Sequence, residues 1–333
     1  MNKMSPKNFL ISIGCLCLFG LTSAHASEPS PVLIGKDNWL FTPYEFAVQS
    51  DAQDTQASIQ LFEKINKLFE KKGISLALVI VPSKIRIHSS QLPDDKPLDG
   101  YTAEKYDNMT KVLRAGGVNV IDLNSPFLGS SHRTSDTPLF LRLDTHWSPT
   151  GAFLAAATVR LSINNVPGLK AAFDSTKEEP HTIFWAEKKI NTRARDLVRL
   201  LPKGAPSFPA EQTLPFKVSR VQPSQANLLN GDESVGITVI GSSYTNKNTG
   251  YPDGLRYTLQ RDILDISIPV DQGPWVGMEN YLRDESFKKN KPKMIIWEVP
   301  EREMRSPPNN KFRDARYIMS NHEWYGKMVE LLK

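Results

Sequence analysis

Leu76-Ala77-Leu78-Val79-Ile80-Val81 is apolar at every position, so neither of its faces can be turned to water. A strand of that kind belongs inside a parallel sheet covered by helices on both sides. The residues before it supply one such helix. Across residues 54–72, Ile59, Phe62, Ile65 and Phe69 fall on one face at helical spacing, with Lys and Glu on the rest. Gly73 then ends the helix in the usual C-terminal manner. The unit repeats: residues 101–115 read as a helix, Gly116-Gly117 as its break and residues 118–123 as a strand. Further strands are expected at 236–240, 263–268 and 294–299, with a helix near 275–287, and residues 32–44 suggest a strand or hairpin arm. Alternating helices and buried strands predict an α/β fold, a three-layer sandwich with a mostly parallel sheet.

Open α/β sheets carry their sites beyond the C-terminal ends of the strands. After the first strand comes Pro82-Ser83-Lys84-Ile85-Arg86-Ile87-His88, where Lys84, Arg86 and His88 either face a ligand or form a solvated loop. Leu143-Asp144-Thr145-His146-Trp147-Ser148-Pro149-Thr150-Gly151-Ala152 sets a carboxylate and an imidazole two residues apart. On extended backbone both side chains would point the same way. Ser148 reads as an N-cap and Pro149 as the first helical residue. A base beside a carboxylate that orients it is two parts of a hydrolase-type triad, though either residue can also simply cap the helix. The third part is sought at Gly241-Ser242-Ser243-Tyr244, directly after a buried strand. There the Gly permits a sharp turn, and a Ser hydroxyl projects from the sheet edge with its own N–H available to an oxyanion. Residues 165–217 form an irregular insertion or lid, rich in Pro, Lys and Arg. Its best helical piece is near 193–201, and Phe184, Trp185, Leu197, Leu200 and Leu201 are expected to need burial.

The first residues look like a targeting segment. Lys3 and Lys7 precede an apolar run over residues 9–21, too short to span a bilayer comfortably, and Ala24-His25-Ala26 fits a cleavage site. A cleavable signal peptide is therefore expected over residues 1–26, with the mature protein, 27–333, as a single catalytic domain in the periplasm. Both cysteines, Cys15 and Cys17, fall in the leader, which removes disulfides, a Cys nucleophile and thiolate metal ligands from the mature chain. The net charge is +5, and removing Lys3 and Lys7 leaves about +3. That permits an anionic ligand without demanding one. No basic block is interleaved with aromatics, so nucleic acid is not an expected partner. His88 and His181 stand in no ligand pattern, and neither a metal nor a cofactor is expected.

Several motifs occur together: Gly35-Lys36-Asp37-Asn38-Trp39-Leu40-Phe41, Val81-Pro82-Ser83-Lys84, Asp144-Thr145-His146-Trp147, Asp196-Leu197, Gly241-Ser242-Ser243-Tyr244 and Trp297-Glu298-Val299-Pro300-Glu301-Arg302. In this combination the chain resembles the AlgX/AlgJ family of SGNH-hydrolase-like alginate O-acetyltransferases. The resemblance implies Asp144, His146 and Ser243 as the catalytic triad, with Asp and His preceding Ser in circularly permuted order. It also favours Ser243 over Ser242. It implies periplasmic acetylation of an exopolysaccharide, alginate-like or cellulose, through an acetyl-serine. A membrane-bound acyltransferase would supply the acetyl group, next to the polysaccharide export machinery. No C-terminal carbohydrate-binding module is expected. The other readings are a carbohydrate acetylesterase and a non-catalytic polysaccharide-binding or assembly subunit. Lys84, Tyr244, Tyr251 and Arg302 are further substrate-binding candidates. Against them stand aromatic packing for the tyrosines and an ion pair with Glu298 or Glu301 for Arg302.

Overall fold

A computed structural model describes residues 31–221, 235–269, 272–311 and 313–333. A small antiparallel hairpin, β1 (Leu33–Ile34) with β2 (Leu40–Phe41), leads into α1 (Ala52–Lys71) and β3 (Ser75–Val81). Next come α2 (Lys84–Ile87), α3 (Gly100–Ala115), β4 (Asn119–Asp122), α4 (Asn124–Leu128) and α5 (Pro149–Asn165). The following stretch holds α6 (Pro167–Asp174), β5 (His181–Trp185), β6 (Ile190–Asn191), α7 (Asp196–Arg199), β7 (Gln212–Thr213) and β8 (Phe216–Arg220). Regular alternation then resumes with β9 (Ile237–Gly241), α8 (Tyr251–Leu259), β10 (Leu264–Ser267), α9 (Gly273–Arg283), α10 (Glu285–Lys289), β11 (Met294–Pro300) and α11 (Asn321–Leu331).

Five strands make the central sheet in the order β10-β9-β11-β3-β4, every neighbouring pair parallel. The apolar run in β3 explains the two layers of helices. Ala77, Val79 and Val81 face one core with Ile121, Val239 and Ile296, closed by Ala155, Ala156 and Val159 of α5. Leu76, Leu78 and Ile80 face the other with Ile240 and Trp297, closed by Phe62, Ile65 and Phe69 of α1. Each large side chain so buried contributes roughly 1.5–3 kcal/mol before chain entropy is charged against it. α5 and α8 lie close because a Cβ on Gly254 would already stand 3.1 Å from the Ala156 methyl.

The helix expected near 275–287 is two helices. The Asp284 side chain accepts from the N–H of Ser286 at 2.8 Å and starts α10 afresh. The irregular segment departs further from expectation. Leu197 is fully buried, but Phe184 is 62% exposed and Leu200 is 50% exposed. In the two-stranded ribbon of β5 and β8, Phe184 turns outward, and Trp185, also expected inside, stays 37% exposed while packing on Phe216 and Phe153. The helix expected near 193–201 shrinks to Asp196–Arg199. The predicted leader lies outside the described residues. Among the described residues no helix is long and apolar enough to cross a membrane.

Candidate active site

Asp144 and His146 sit in a tight reversal, not on the extended backbone expected from their spacing. Phe140 and Trp147 bridge across it, and the N–H of Leu141 donates to the carbonyl of His146 at 3.0 Å. A short carboxylate can bond its own backbone two residues on and fold such a turn. Asp144 Oδ1 accepts from the His146 backbone N–H at 3.1 Å and lies 2.6 Å from His146 Nδ1. The turn runs straight into α5. There Ser148 Oγ accepts from the N–H of Gly151 at 3.2 Å, and Pro149 is the first helical residue.

The second turn ends β9. A Cβ on Gly241 would collide with Thr245 Oγ1 and with the Glu298 carboxylate, so glycine is what lets Glu298 come this close. That carboxylate accepts from Ser242 N at 2.7 Å, from Ser242 Oγ at 3.0 Å and from Thr245 Oγ1 at 3.0 Å. Ser242 is thereby held towards the sheet, and Ser243 faces the other way. Its Oγ lies 2.7 Å from His146 Nε2. With Nδ1–H donating to Asp144, Nε2 is left to accept from the Ser243 hydroxyl. Burial pushes the Asp144 carboxyl up, but its hydrogen bonds with His146 prevail and hold it below the usual range. Burial lifts Glu298 to about 7 against the pull of the Thr245 and Ser242 bonds.

Lys84 does not face a ligand. It is 1% exposed, and its Nζ donates to the carbonyls of Leu40 at 2.6 Å, Arg142 at 3.0 Å and Asp144 at 3.0 Å. Burial lowers it to about 8, while the carboxylates of Glu45, Glu211, Asp144 and Asp196 resist. The segment 82–88 is not a solvated loop either. Arg86 is buried against Glu301, with Nη2–Oε1 at 2.7 Å, and His88 is buried on Trp39 with ring centroids 4.2 Å apart.

The tyrosines are also interior. Tyr251 is fully buried, its ring 4.8 Å from that of Trp147. Tyr244 is 1% exposed, with its ring 5.0 Å from the imidazole of His146. The Tyr244 hydroxyl donates to the carbonyl of Thr145, tying the Ser243 turn to the Asp144 turn. Neither ring is available to a sugar. Arg302 Nη1 donates to the Tyr244 hydroxyl at 3.4 Å and pairs with Glu45 Oε1 at 3.5 Å, so its carboxylate partner is neither Glu298 nor Glu301.

One contact to Asp144 comes from the irregular segment. The N–H of Asp196, at the start of α7, donates to Asp144 Oδ2 at 2.8 Å, and its own carboxylate accepts from Thr145 N at 2.8 Å. The Asp196-Leu197 motif was the sole sequence signal for it. Asp144, His146 and Asp196 lie close enough together to suggest a metal site. Their facing atoms are already engaged by one another and by Thr145, which describes a hydrogen-bonded chain instead. Above them opens a cleft of about 460 Å3, whose lining includes His146, Ser243 and Asn246 and also Arg193, Arg195 and Arg199.

Residues 32–301 match the model of the SGNH hydrolase-like domain of acetyltransferase AlgX. A probable alginate O-acetylase AlgJ of Pseudomonas fluorescens is 30% identical over 293 residues, which span 85% of this chain and 70% of the relative. The alginate biosynthesis protein AlgX of Pseudomonas putida is 26% identical over 283 residues, 83% of this chain and 57% of the relative. The fold is that of the O-acetyltransferase domain of Pseudomonas putida AlgJ, with a TM-score of 0.72 at 22% identity over 90% of this chain and 99% of that one. The protein belongs to the AlgX/AlgJ family of SGNH hydrolase-like O-acetyltransferases.

Proposed function

We propose that Ser243, His146 and Asp144 form an acyl-transfer triad that moves an acetyl group onto hydroxyls of an anionic exopolysaccharide such as alginate. The observation that carries this is the unbroken run from Asp144 Oδ1 to His146 Nδ1 at 2.6 Å and from His146 Nε2 to Ser243 Oγ at 2.7 Å, on the floor of an open cleft. Ser243 Oγ attacks the donor's acetyl carbonyl, and its proton passes to His146 Nε2. The bond to the donor oxygen breaks, and that oxygen takes the proton. In the second half a sugar hydroxyl gives its proton to His146 and attacks the acetyl-serine. The Oγ–carbonyl bond then breaks and Oγ recovers the proton. Asp144 keeps Nδ1 protonated and steadies the imidazolium in both halves. The N–H of Ser242 bonds Glu298 and that of Tyr244 bonds Ser242 Oγ, which leaves the N–H of Ser243 to donate to the oxyanion.

Arg193, Arg195 and Arg199 in the cleft lining suit a polymer that carries carboxylates, in keeping with relatives named as alginate O-acetylases. The periplasm as the compartment, and a membrane-bound acyltransferase as the donor beside the export machinery, complete the proposal. The test is release of p-nitrophenol from p-nitrophenyl acetate, with and without oligomannuronate or cello-oligosaccharide, for wild type and Ser243→Ala. Turnover is expected to fall roughly a thousandfold or more in the variant, with an acetyl mass gain on the oligomannuronate. Equal turnover by both proteins would overturn the assignment of Ser243. Turnover that leaves every oligosaccharide unmodified would make the protein an esterase.

A further inference from the structure

Ser243 borders two cavities. The large cleft lies on the His146 side. On the other side is a small, partly enclosed space of about 20 Å3, lined by Ile268, Pro269, Pro274 and Pro300 and by the polar Glu298, Arg302 and Glu303. A space of that size admits about one water-sized or methyl-sized group. Most of the lining surface it exposes is hydrocarbon, so a methyl suits it better than water. The walls are also fixed. The N–H of Ile268 donates to the carbonyl of Gly241 at 2.7 Å, which holds Ile268 against the turn that carries Ser243. Ile268 is 5% exposed and packs on Gly277 so closely that a Cβ there would collide with it. Pro300 ends β11, locked beside Val81 of β3.

We propose that this pocket is the acyl-chain subsite, which takes the methyl of the acetyl group carried on Ser243 and excludes longer chains. The inference rests on Ser243 as the nucleophile. During acylation the carbonyl carbon bonds Oγ, the oxygen of the leaving group departs into the large cleft, and the remaining substituent on that carbon points into the small pocket. An acetyl group fills it. Each further methylene has to displace Ile268 or a proline held by strand and helix backbone, which packed interiors resist.

The experiment is the rate of mass gain on Ser243 with p-nitrophenyl acetate, propionate and butyrate, for wild type, Ile268→Ala, Ile268→Val and Ser243→Ala. Wild type should lose roughly tenfold in acylation rate per added methylene. Ile268→Ala should flatten that fall by making butyrate faster relative to acetate. Ile268→Val should shift the ratio the same way by less, and it serves if the alanine variant does not fold. Equal acylation of wild type by acetate and butyrate would overturn the subsite while leaving the nucleophile standing, as would an unchanged ratio in both Ile268 variants. Mass gain persisting in Ser243→Ala, or none in wild type with any ester, would overturn the nucleophile and the subsite with it.

Discussion

The two turns that meet on the cleft floor are pinned from beneath by buried groups of opposite charge. Under the Asp144 turn, Lys84 gathers the carbonyls of Leu40, Arg142 and Asp144. Under the Ser243 turn, Glu298 gathers the Ser242 N–H and the hydroxyls of Ser242 and Thr245. The first turn buries acceptors and the second buries donors, so each needs a partner of the opposite kind. The sign of each charge thus follows from which backbone and side-chain groups its turn leaves unpaired. The two anchors differ in support. Burial is the largest influence on both, but Lys84 is compensated by the charges of four carboxylates and Glu298 mainly by hydrogen bonds from Thr245 and Ser242.

The largest stability effect expected of that contrast is at Lys84. Lys84→Met strands three carbonyls and leaves Glu45 with less compensating charge, and should cost about 3 kcal/mol. Glu298→Gln keeps an acceptor oxygen and most of the shape, and should cost about 1 kcal/mol. Urea midpoints for the two variants measure the difference, and equal losses would break the comparison.

The pH dependence should differ in direction as well. Glu298 is raised from 4.5 to about 7, so between those values the folded chain holds a proton that the unfolded chain has released. Its contribution to stability is fully present below pH 4.5 and is lost as pH rises through 7. Lys84 is lowered from 10.5 to about 8, so between those values the unfolded chain holds the extra proton. Its contribution is present above pH 10.5 and is lost as pH falls through 8. Plotting wild-type minus variant stability against pH for Glu298→Gln and Lys84→Met should give slopes of opposite sign in those two windows. Slopes of the same sign would show that one anchor has been given the wrong ionisation. An effect no larger than that of Glu298→Gln is expected at Ser148→Ala. It removes the N-cap that aims the Asp144 turn into α5 and should cost about 1 kcal/mol, read from thermal unfolding.

The sheet was legible because its signals are local. β3 announces itself as six consecutive apolar residues, and α5 by Ser148-Pro149. Gly241 and the serines after it could be placed at a strand end for the same reason. The anchors were not legible, because their partners come from distant parts of the chain. Nothing near Lys84 in sequence says that Leu40, Arg142 and Asp144 will turn their carbonyls to it. The Asp144–His146 spacing suits an extended strand and a tight turn equally, and three residues hold too little periodicity to separate them. Phe184 and Leu200 were expected inside because composition alone does not say which face of a two-stranded ribbon is covered.

β11 is the last strand of the sheet in chain order and the middle one in space. Ile296 stands beside Ala77 on one side and beside Val239 on the other. Without it the strands fall into two separate pairs, β10 with β9 and β3 with β4. Joining early and late parts of a chain is slow, because the loop must close before any contact rewards it. Glu298, which holds the Ser243 turn, rides on that same strand. An unfolded or growing chain therefore lacks both the strand that joins the two halves of its sheet and the carboxylate that holds the Ser243 turn until β11 has been made and docked.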